Sequence, residues 1–260
     1  MMQPRALILL ATGTNRDHDA AQALQLAGAA PEIVPLKRLR ENNHSWQEYQ
    51  MLVLAGGFSY ADALGAGKLL ALDLIHYFNE QVTAFVASGK PVIGICNGFQ
   101  ALVKSGILSS SYSLSDQLET TLTFNQQGRF ECRWVTLKPV SQVCLWTRGL
   151  NELIDCPVAH GEGNFVARDA NTLSRLKEAD QIALLYSHAD GSPAGGSYPA
   201  NPNGSEMDIA GICNPAGNVL GLMPHPEDHI FPFQYPKWTR GEGHLGLPLF
   251  QNGVDYAKAM

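Results

Sequence analysis

Lys90 to Leu108, KPVIGICNGFQALVKSGIL, leaves the backbone few choices. The apolar run Val92 to Ile95 reads as a buried strand, and Phe99, Leu102, Val103 and Leu108 follow at helical spacing. Between the two, the chain turns at Gly94, Cys96 and Gly98. In a strand, sharp turn and helix of this kind the middle residue stands out above the sheet edge, and the flanking glycines relieve crowding where the backbone bends most. The helix that follows directs its N-terminal dipole and free N–H groups at the Cys96 sulfur, which favours thiolate over thiol. Cys96 is therefore a candidate nucleophile. The plainer reading is a structural cysteine at a strand end, since free cysteines are commonly buried and inert. Spacing alone leaves both open.

The surrounding pattern fixes the fold class. Ala6 to Ala11 is a buried-strand run, Asp17 to Ala27 a capped helical pattern ending before Gly28, and Glu32 to Leu36 a short second strand. Met51 to Ala55 is apolar throughout, as parallel strands covered on both faces tend to be. After the loop Gly56 to Asp62, Gly67 to Ser88 reads as one long helix, and Pro91 opens the strand that leads to Cys96. This alternation predicts an α/β fold: a doubly wound, mostly parallel sheet with helices on both faces. Leu122 to Pro139 alternates in polarity and suggests a small β-excursion. Ile182 to Ser187 is another apolar strand, and Asp190 to Gly204 is a loop rich in Gly, Pro, Asn and Ser. Ile209 to Cys213 and Val219 to Met223 read as a hairpin that delivers the chain to Pro224-His225-Pro226-Glu227, and Leu249 to Ala259 as a closing helix. At 260 residues and 45% hydrophobic the chain can bury an ample core, and one domain over residues 1–260 is expected.

A net charge of −6 with 16% charged residues gives no basic stripe for nucleic acid and no polybasic patch for a membrane. The cysteines are Cys96, Cys132, Cys144, Cys156 and Cys213, odd in number and without a C-x-x-C pair, so a disulfide framework or zinc knuckle is not expected and a reducing cytoplasm fits best. The N-terminal stretch MMQPRALILLATG is too short to span a bilayer and lacks a small-residue cleavage site; it reads as a first strand.

Ligands of doubly wound sheets bind beyond the carboxyl ends of the strands, where both the Gly56-Gly57 loop and the Cys96 elbow fall. The N–H groups of Gly57 and Asn97 are candidates for the two halves of an oxyanion hole, although a Gly-Gly pair is also an ordinary turn. A cysteine nucleophile needs a base, and the base an orienting carboxylate. Two H-x-E pairs offer themselves, His160 with Glu162 and His225 with Glu227. Pro224 and Pro226 hold the second pair extended with both side chains on one face, whereas Gly161 and Gly163 leave the first loose. The base is assigned to His225 and its orienter to Glu227, with His160 expected to line the pocket or pack internally. His225, Glu227 and His229 resemble a metal set only superficially, because Pro226 spoils the helical spacing such sites use; no metal is expected.

With these residues in view, Cys96 in GICNGFQ together with the later HPE resembles the class I glutamine amidotransferases. GGFSYADALGAG (Gly56 to Gly67), GRFECRW (Gly128 to Trp134), HGEGNF (His160 to Phe165), YPANPNGS (Tyr198 to Ser205) and MPHPE (Met223 to Glu227) narrow the resemblance to the glutaminase component of phosphoribosylformylglycinamidine synthases, over nearly the whole chain. Ala61 stands where that family commonly carries Gly.

The resemblance implies that Cys96 attacks the side-chain amide of L-glutamine, that Gly57 and Asn97 hold the oxyanion, and that His225, held by Glu227, moves the protons. It makes Phe58 and Gln100 candidate substrate contacts. Arg129 and Phe130 are further candidates that line either the pocket or a partner interface; the plainer reading is an edge strand with a surface ion pair. It also implies a partner synthetase subunit that converts formylglycinamide ribonucleotide and ATP to formylglycinamidine ribonucleotide, with room for a further small subunit. ATP and Mg are expected in that partner and no cofactor in this chain. The chain starts at its own Met and contains no synthetase segment, so a separate subunit is expected. Asp228 to Gly246, rich in aromatic residues and proline, is expected to meet the synthetase or cover the site. Two rivals are an independent cysteine hydrolase of γ-glutamyl substrates and a catalytically silent docking subunit.

Overall fold

The computed structural model describes residues 3–41, 45–108 and 118–260; Met1 and Met2 of the N-terminal stretch lie outside them. The chain begins β1 (Arg5–Leu10), α1 (Asp17–Ala27), β2 (Ala30–Pro35), the short α2 (Leu36–Arg40) and β3 (Met51–Leu54). It continues through α3 (Lys68–Tyr77), α4 (Asn79–Ala87), β4 (Val92–Ile95) and α5 (Asn97–Lys104). Next come β5 (Thr120–Thr123), β6 (Glu131–Pro139), β7 (Ile154–His160), β8 (Asn164–Ala167), α6 (Ala170–Glu178) and β9 (Ile182–Ser187). It closes with β10 (Ile209–Cys213), β11 (Val219–Leu222) and α7 (Leu247–Ala259).

Among the described residues the main sheet has nine strands in the order β2-β1-β3-β4-β11-β10-β9-β6-β7. From β2 to β11 neighbours run parallel, and from β11 to β7 antiparallel. The crossover from β1 to β2 and that from β3 to β4 step in opposite directions along the sheet. Right-handed connections therefore place α1 and the α3–α4 pair on opposite faces, with α7 against α1 and α5 against α3. Strands covered on both sides have no polar face to show, and Leu7, Ile8, Leu52, Val53, Ile93, Ile95, Leu220 and Leu222 are all buried.

The carboxyl ends of β1, β3, β4 and β11 all reach one edge of the sheet. There Leu222 pairs with Ile95, and Leu54 with Gly94, in register. The loops after these strands carry the residues singled out above.

Two expectations change. The long helix from Gly67 to Ser88 is broken at Phe78, which has φ −127° and ψ 14°. The break turns Phe78 into the core, 5.6 Å from the Trp46 ring, a burial a continuous surface helix would not give it. The excursion from Leu122 to Pro139 divides. β5 pairs with β8 in a separate ribbon, while β6 joins the main sheet between β9 and β7 and so is not an edge strand.

Candidate active site

Cys96 sits at the start of α5 with φ 51° and ψ −105°, a backbone conformation that costs energy for any residue with a Cβ. Its N–H donates to the Leu222 carbonyl at 2.8 Å, and its own carbonyl accepts from the Gln100 N–H at 3.0 Å, so strand and helix both hold the elbow. Close approach of the helix to β3 requires glycine at 98, because a Cβ there would run into the Leu54 carbonyl. The sulfur lies 3.8 Å from the Ala159 carbonyl oxygen and is almost wholly buried.

His225 follows β11 on the adjacent strand. Its N–H donates to the Pro157 carbonyl at 2.8 Å, and its Nδ1 meets Glu227 Oε1 at 2.7 Å. The expected extended run is replaced by a tight 3-10 turn over Pro226–Asp228, which brings Glu227 back to the ring while Pro224 and Pro226 flank His225. Burial works against a charged imidazole, but the Glu227 carboxylate and the Cys96 sulfur beside it prevail and hold His225 well above its usual range. Gly56 leaves space for the ring: a Cβ there would stand 2.7 Å from His225 Cε1.

Gly57 comes to the same edge. Residues 13–15 pair with its loop through Phe58 N–H to Gly13 O (2.9 Å) and Asn15 N–H to Gly56 O (3.3 Å). In that pattern the N–H of Gly57 itself turns away from residues 13–15, and Gly57 lines the pocket containing Cys96. At φ 139°, with Asn15 N 2.6 Å from any Cβ, the position admits only glycine without strain. The N–H of Asn97 is one of the free donors at the start of α5.

The Asn97 side chain ties the start of α5 to the loop that follows Gly57. Its Oδ1 accepts from the Ser59 N–H at 3.1 Å, and its Nδ2 donates to Asp62 Oδ1 at 3.0 Å and to Gln100 Oε1 at 3.1 Å. The loop it grips is strained: Tyr60, Ala61 and Asp62 have φ of 55°, 53° and 52°. Sequence spacing gave no sign of this tie, because an asparagine after the nucleophile reads simply as a helix start.

The pocket has a volume of about 150 Å³ and is lined by Gly57, Phe58, Asp62, Ala66, Cys96, Gln100, Phe124, Phe130, Ala159, His160, Gly161 and Glu162. Phe58 and Phe130 stack at its mouth with ring centroids 6.3 Å apart. Gln100 lines the wall, but its Nε2 donates to the Glu162 carbonyl at 2.7 Å and its Oε1 accepts from Asn97, so its amide braces the pocket. Arg129 does not line it. Its guanidinium donates to Glu131 Oε1 at 3.0 Å and to Tyr198 OH at 2.9 Å, outside the cavity.

His160 and Glu162 do not pair. Glu162 turns toward the Ala66 N–H (3.3 Å) and Lys104 (3.6 Å). His160 is buried, with Nδ1 3.1 Å from Asn125 Oδ1. Asn125 Nδ2 donates to the Arg129 and His160 carbonyls, which fixes the amide so that its Oδ1 accepts from His160. Nδ1 therefore carries the hydrogen and Nε2 is a bare acceptor, with no partner among the described residues. Burial, with the charge of His225 adding to it, pushes His160 down to about 3 and keeps it neutral. Asn125 lies in TFNQQ with no periodic or motif signal and escapes sequence reasoning.

His229 has both ring nitrogens against backbone carbonyls, Asp155 O at 2.6 Å and Glu242 O at 3.1 Å. No group of three or more potential metal ligands occurs among the described residues. Asp228 to Gly246 lies elsewhere than over the pocket. Tyr235 packs edge-on to Trp134 of β6, while Phe233 and Trp238 stay exposed. No helix of the described residues is long and apolar enough to cross a membrane.

A cysteine at a strained elbow and an imidazole braced by a buried carboxylate after the next strand, beside a strand-end cavity that Gly57 lines, define a thiol-dependent acyl-transfer site on a doubly wound sheet. Residues 3–257 match the CobB/CobQ-like glutamine amidotransferase domain, and the chain belongs to that family. It is 57% identical to the phosphoribosylformylglycinamidine synthase subunit PurQ of Treponema denticola, over 98% of this chain and 99% of that protein. It is 36% identical to the subunit of the same name from Methanococcus maripaludis, over 97% of each. Among solved structures, PurLQS from Thermotoga maritima aligns with a TM-score of 0.73 and 31% identity, covering 98% of this chain and 99% of that one.

Proposed function

We propose that this chain is the glutaminase subunit of phosphoribosylformylglycinamidine synthase: it hydrolyses L-glutamine to glutamate and passes the ammonia to a synthetase subunit. The observation that carries the reading is the Cys96 elbow set in register beside a His225–Glu227 pair joined at 2.7 Å, in a chain resembling PurQ subunits from end to end.

Cys96 Sγ attacks the carboxamide carbon of glutamine, and the oxyanion is held by the N–H groups of Gly57 and Asn97, where one such donor is worth about 3 kcal/mol. His225, charged beside Glu227, gives its proton to the departing nitrogen, which leaves as ammonia. The γ-glutamyl thioester remains. His225, now neutral, takes a proton from water, hydroxide adds to the thioester carbon, and the tetrahedral adduct collapses to release glutamate and the Cys96 thiolate, leaving His225 charged again. In the synthetase, ammonia, ATP and formylglycinamide ribonucleotide give formylglycinamidine ribonucleotide in purine biosynthesis. ATP and Mg belong to that partner, and the chemistry above asks for no cofactor in this chain. We place the reaction in the cytoplasm, a reading supported by the free cysteines. The exposed Phe233 and Trp238 are surfaces for a partner to cover.

The test is glutamate release from glutamine by the purified chain, alone and with added synthetase, beside a Cys96→Ala control. Cys96-dependent release that rises with synthetase is expected. Equal release with and without synthetase would indicate an independent hydrolase, and none in either case a silent subunit.

A further inference from the structure

The turn that carries Glu227 holds a second carboxylate, on Asp228, that the hydrolysis above does not use. The Asp228 N–H donates to the His225 carbonyl at 3.2 Å, so this carboxylate is tied to the backbone of the base, and its side chain is only 16% exposed. Glu227 beside it is wholly buried and half satisfied: Oε1 meets His225 Nδ1, while Oε2 has no partner among the described residues. Two carboxylates thus stand next to one imidazolium. Their repulsion is visible in Asp228, which burial and the charge of Glu227 push up to about 6.

The counter-charge comes from the loop between β1 and α1. One guanidinium nitrogen of Arg16 lies 3.5 Å from Asp228 Oδ1 and 3.1 Å from Asp19 Oδ2. The Arg16 N–H donates to the Gly56 carbonyl at 3.2 Å. Its stem also passes the base, because a Cβ at Gly56 would stand 3.5 Å from Arg16 Cγ and 2.7 Å from His225 Cε1. Stem and imidazole share the space that the glycine leaves. Burial works against the guanidinium charge, but Asp228, Asp19 and Glu227 prevail and hold Arg16 above its usual range. A pair with Asp19 alone would be an ordinary bond on a helix surface, worth little. The reach to Asp228 across the base is what such a pair does not require.

We infer that Arg16 and Asp228 are positioning residues for the reaction, an outer ion pair that sets, through Glu227, how firmly His225 holds its proton. The inference rests on the glutaminase reading and deepens it. His225 must give a proton to the departing nitrogen and then take one from water, so neither state can be held too tightly. Ionised Asp228 favours the imidazolium, and Arg16 offsets it. The other titratable groups around the ring and its turn are Cys96 at the elbow, Asp155, Cys156 and His160 of β7, and Asp17, His18 and Asp19 at the start of α1. The first turn of α7, Leu247 to Phe250, brings none. All of these stay in place when Arg16 or Asp228 is changed.

The experiment follows the His225 ring by NMR in the purified chain between about pH 5 and pH 10, for wild type, Asp228→Asn and Arg16→Met. In parallel it measures the pH profile of kcat/KM for ammonia release from L-glutamine in the complex with synthetase. In Asp228→Asn the imidazolium should lose its proton about 0.5 to 1 pH unit lower, and in Arg16→Met about as much higher, with the basic limb of the profile moving alongside. Arg16→Lys keeps the charge and should stay near wild type. Shifts of the same sign in the first two variants, or none in either, overturn the inference. Arg16 is half exposed, so if Asp228→Asn does not fold, the upward shift in Arg16→Met decides alone. Absence of ammonia release from wild type with synthetase would overturn the glutaminase reading, and the NMR titration would still decide the coupling.

Discussion

In the proposed mechanism the N–H groups of Gly57 and Asn97 share the oxyanion, and removing the Asn97 side chain, which grips the loop after Gly57, tests whether that grip governs catalysis. In Asn97→Ala the backbone N–H at 97 stays, but three hydrogen bonds vanish: from Ser59 N–H, to Asp62 and to Gln100. Taking about 1 kcal/mol for each neutral bond and about 2 for the one to the carboxylate, the variant loses about 4 kcal/mol. For a chain of this length that lowers Tm by about 7 °C. The functional cost has a separate origin. Tyr60, Ala61 and Asp62 hold left-handed backbone angles only because surrounding contacts impose them, and Asn97 supplies two of those contacts. Freed of them, the loop relaxes and carries the Gly57 N–H away from the oxyanion. Loss of one oxyanion donor costs about 10²- to 10³-fold in kcat. The assay is initial-rate glutamate release at saturating glutamine in the complex with synthetase, with thermal unfolding measured in parallel. A kcat within threefold of wild type despite the fall in Tm would refute the reasoning, because it would show that the Gly57 loop keeps its geometry without Asn97.

Glu227→Gln should lower kcat by about 10⁴-fold, as removing the orienting acid of a triad does. It should also change the pH dependence of stability. Because His225 is held above its ordinary value of 6.5, the stability it contributes is fully present below that pH and is lost as pH rises through the folded value. The variant should therefore lose more Tm at pH 6 than at pH 9 in unfolding scans across that range, and an equal loss throughout would contradict the charge assignment. Ala61→Gly should raise Tm by about 1–2 °C, because relief of a left-handed alanine slightly exceeds the entropy cost of glycine. A fall in Tm by differential scanning calorimetry would show that the loop is not strained at that residue.

Much of the fold was legible because parallel strands buried on both faces announce themselves as unbroken apolar runs. Ala6 to Ala11, Met51 to Ala55 and Val92 to Ile95 could be little else, and each became a strand at or near the expected residues. The elbow was readable for the related reason that glycines on both sides of a cysteine mark a bend. Long-range polar contacts leave no period in a sequence. The break at Phe78 is set by a ring finding the core beside Trp46, and helical spacing runs through it undisturbed. The place of β6 inside the main sheet depends on its pairing with β9, which lies beyond two intervening strands and a helix. In the site, the prolines around His225 marked out the pair that structure places with its glutamate, although through a turn where an extended run was expected. The Asn125 lock on His160 and the Asn97 tie to Asp62 join residues 35 positions apart, and neither can be seen before the chain is folded.

Cys96 and His225 leave from the same rung of the sheet, one residue past Ile95 and three past Leu222, on strands bonded side by side in parallel. The two strands they leave run about 4.8 Å apart, a spacing that the core enforces, and the His225 N–H is tied in addition to the Pro157 carbonyl of β7. Nucleophile and base start as two marks on one ruler, the pair of neighbouring strands at the centre of the sheet. Any control that a docking partner exerts must therefore fall on the parts mounted off the ruler, the Gly57 loop and the aromatic rim, which makes the enzyme tunable in its electrophile-binding half while its proton-transfer half stays fixed.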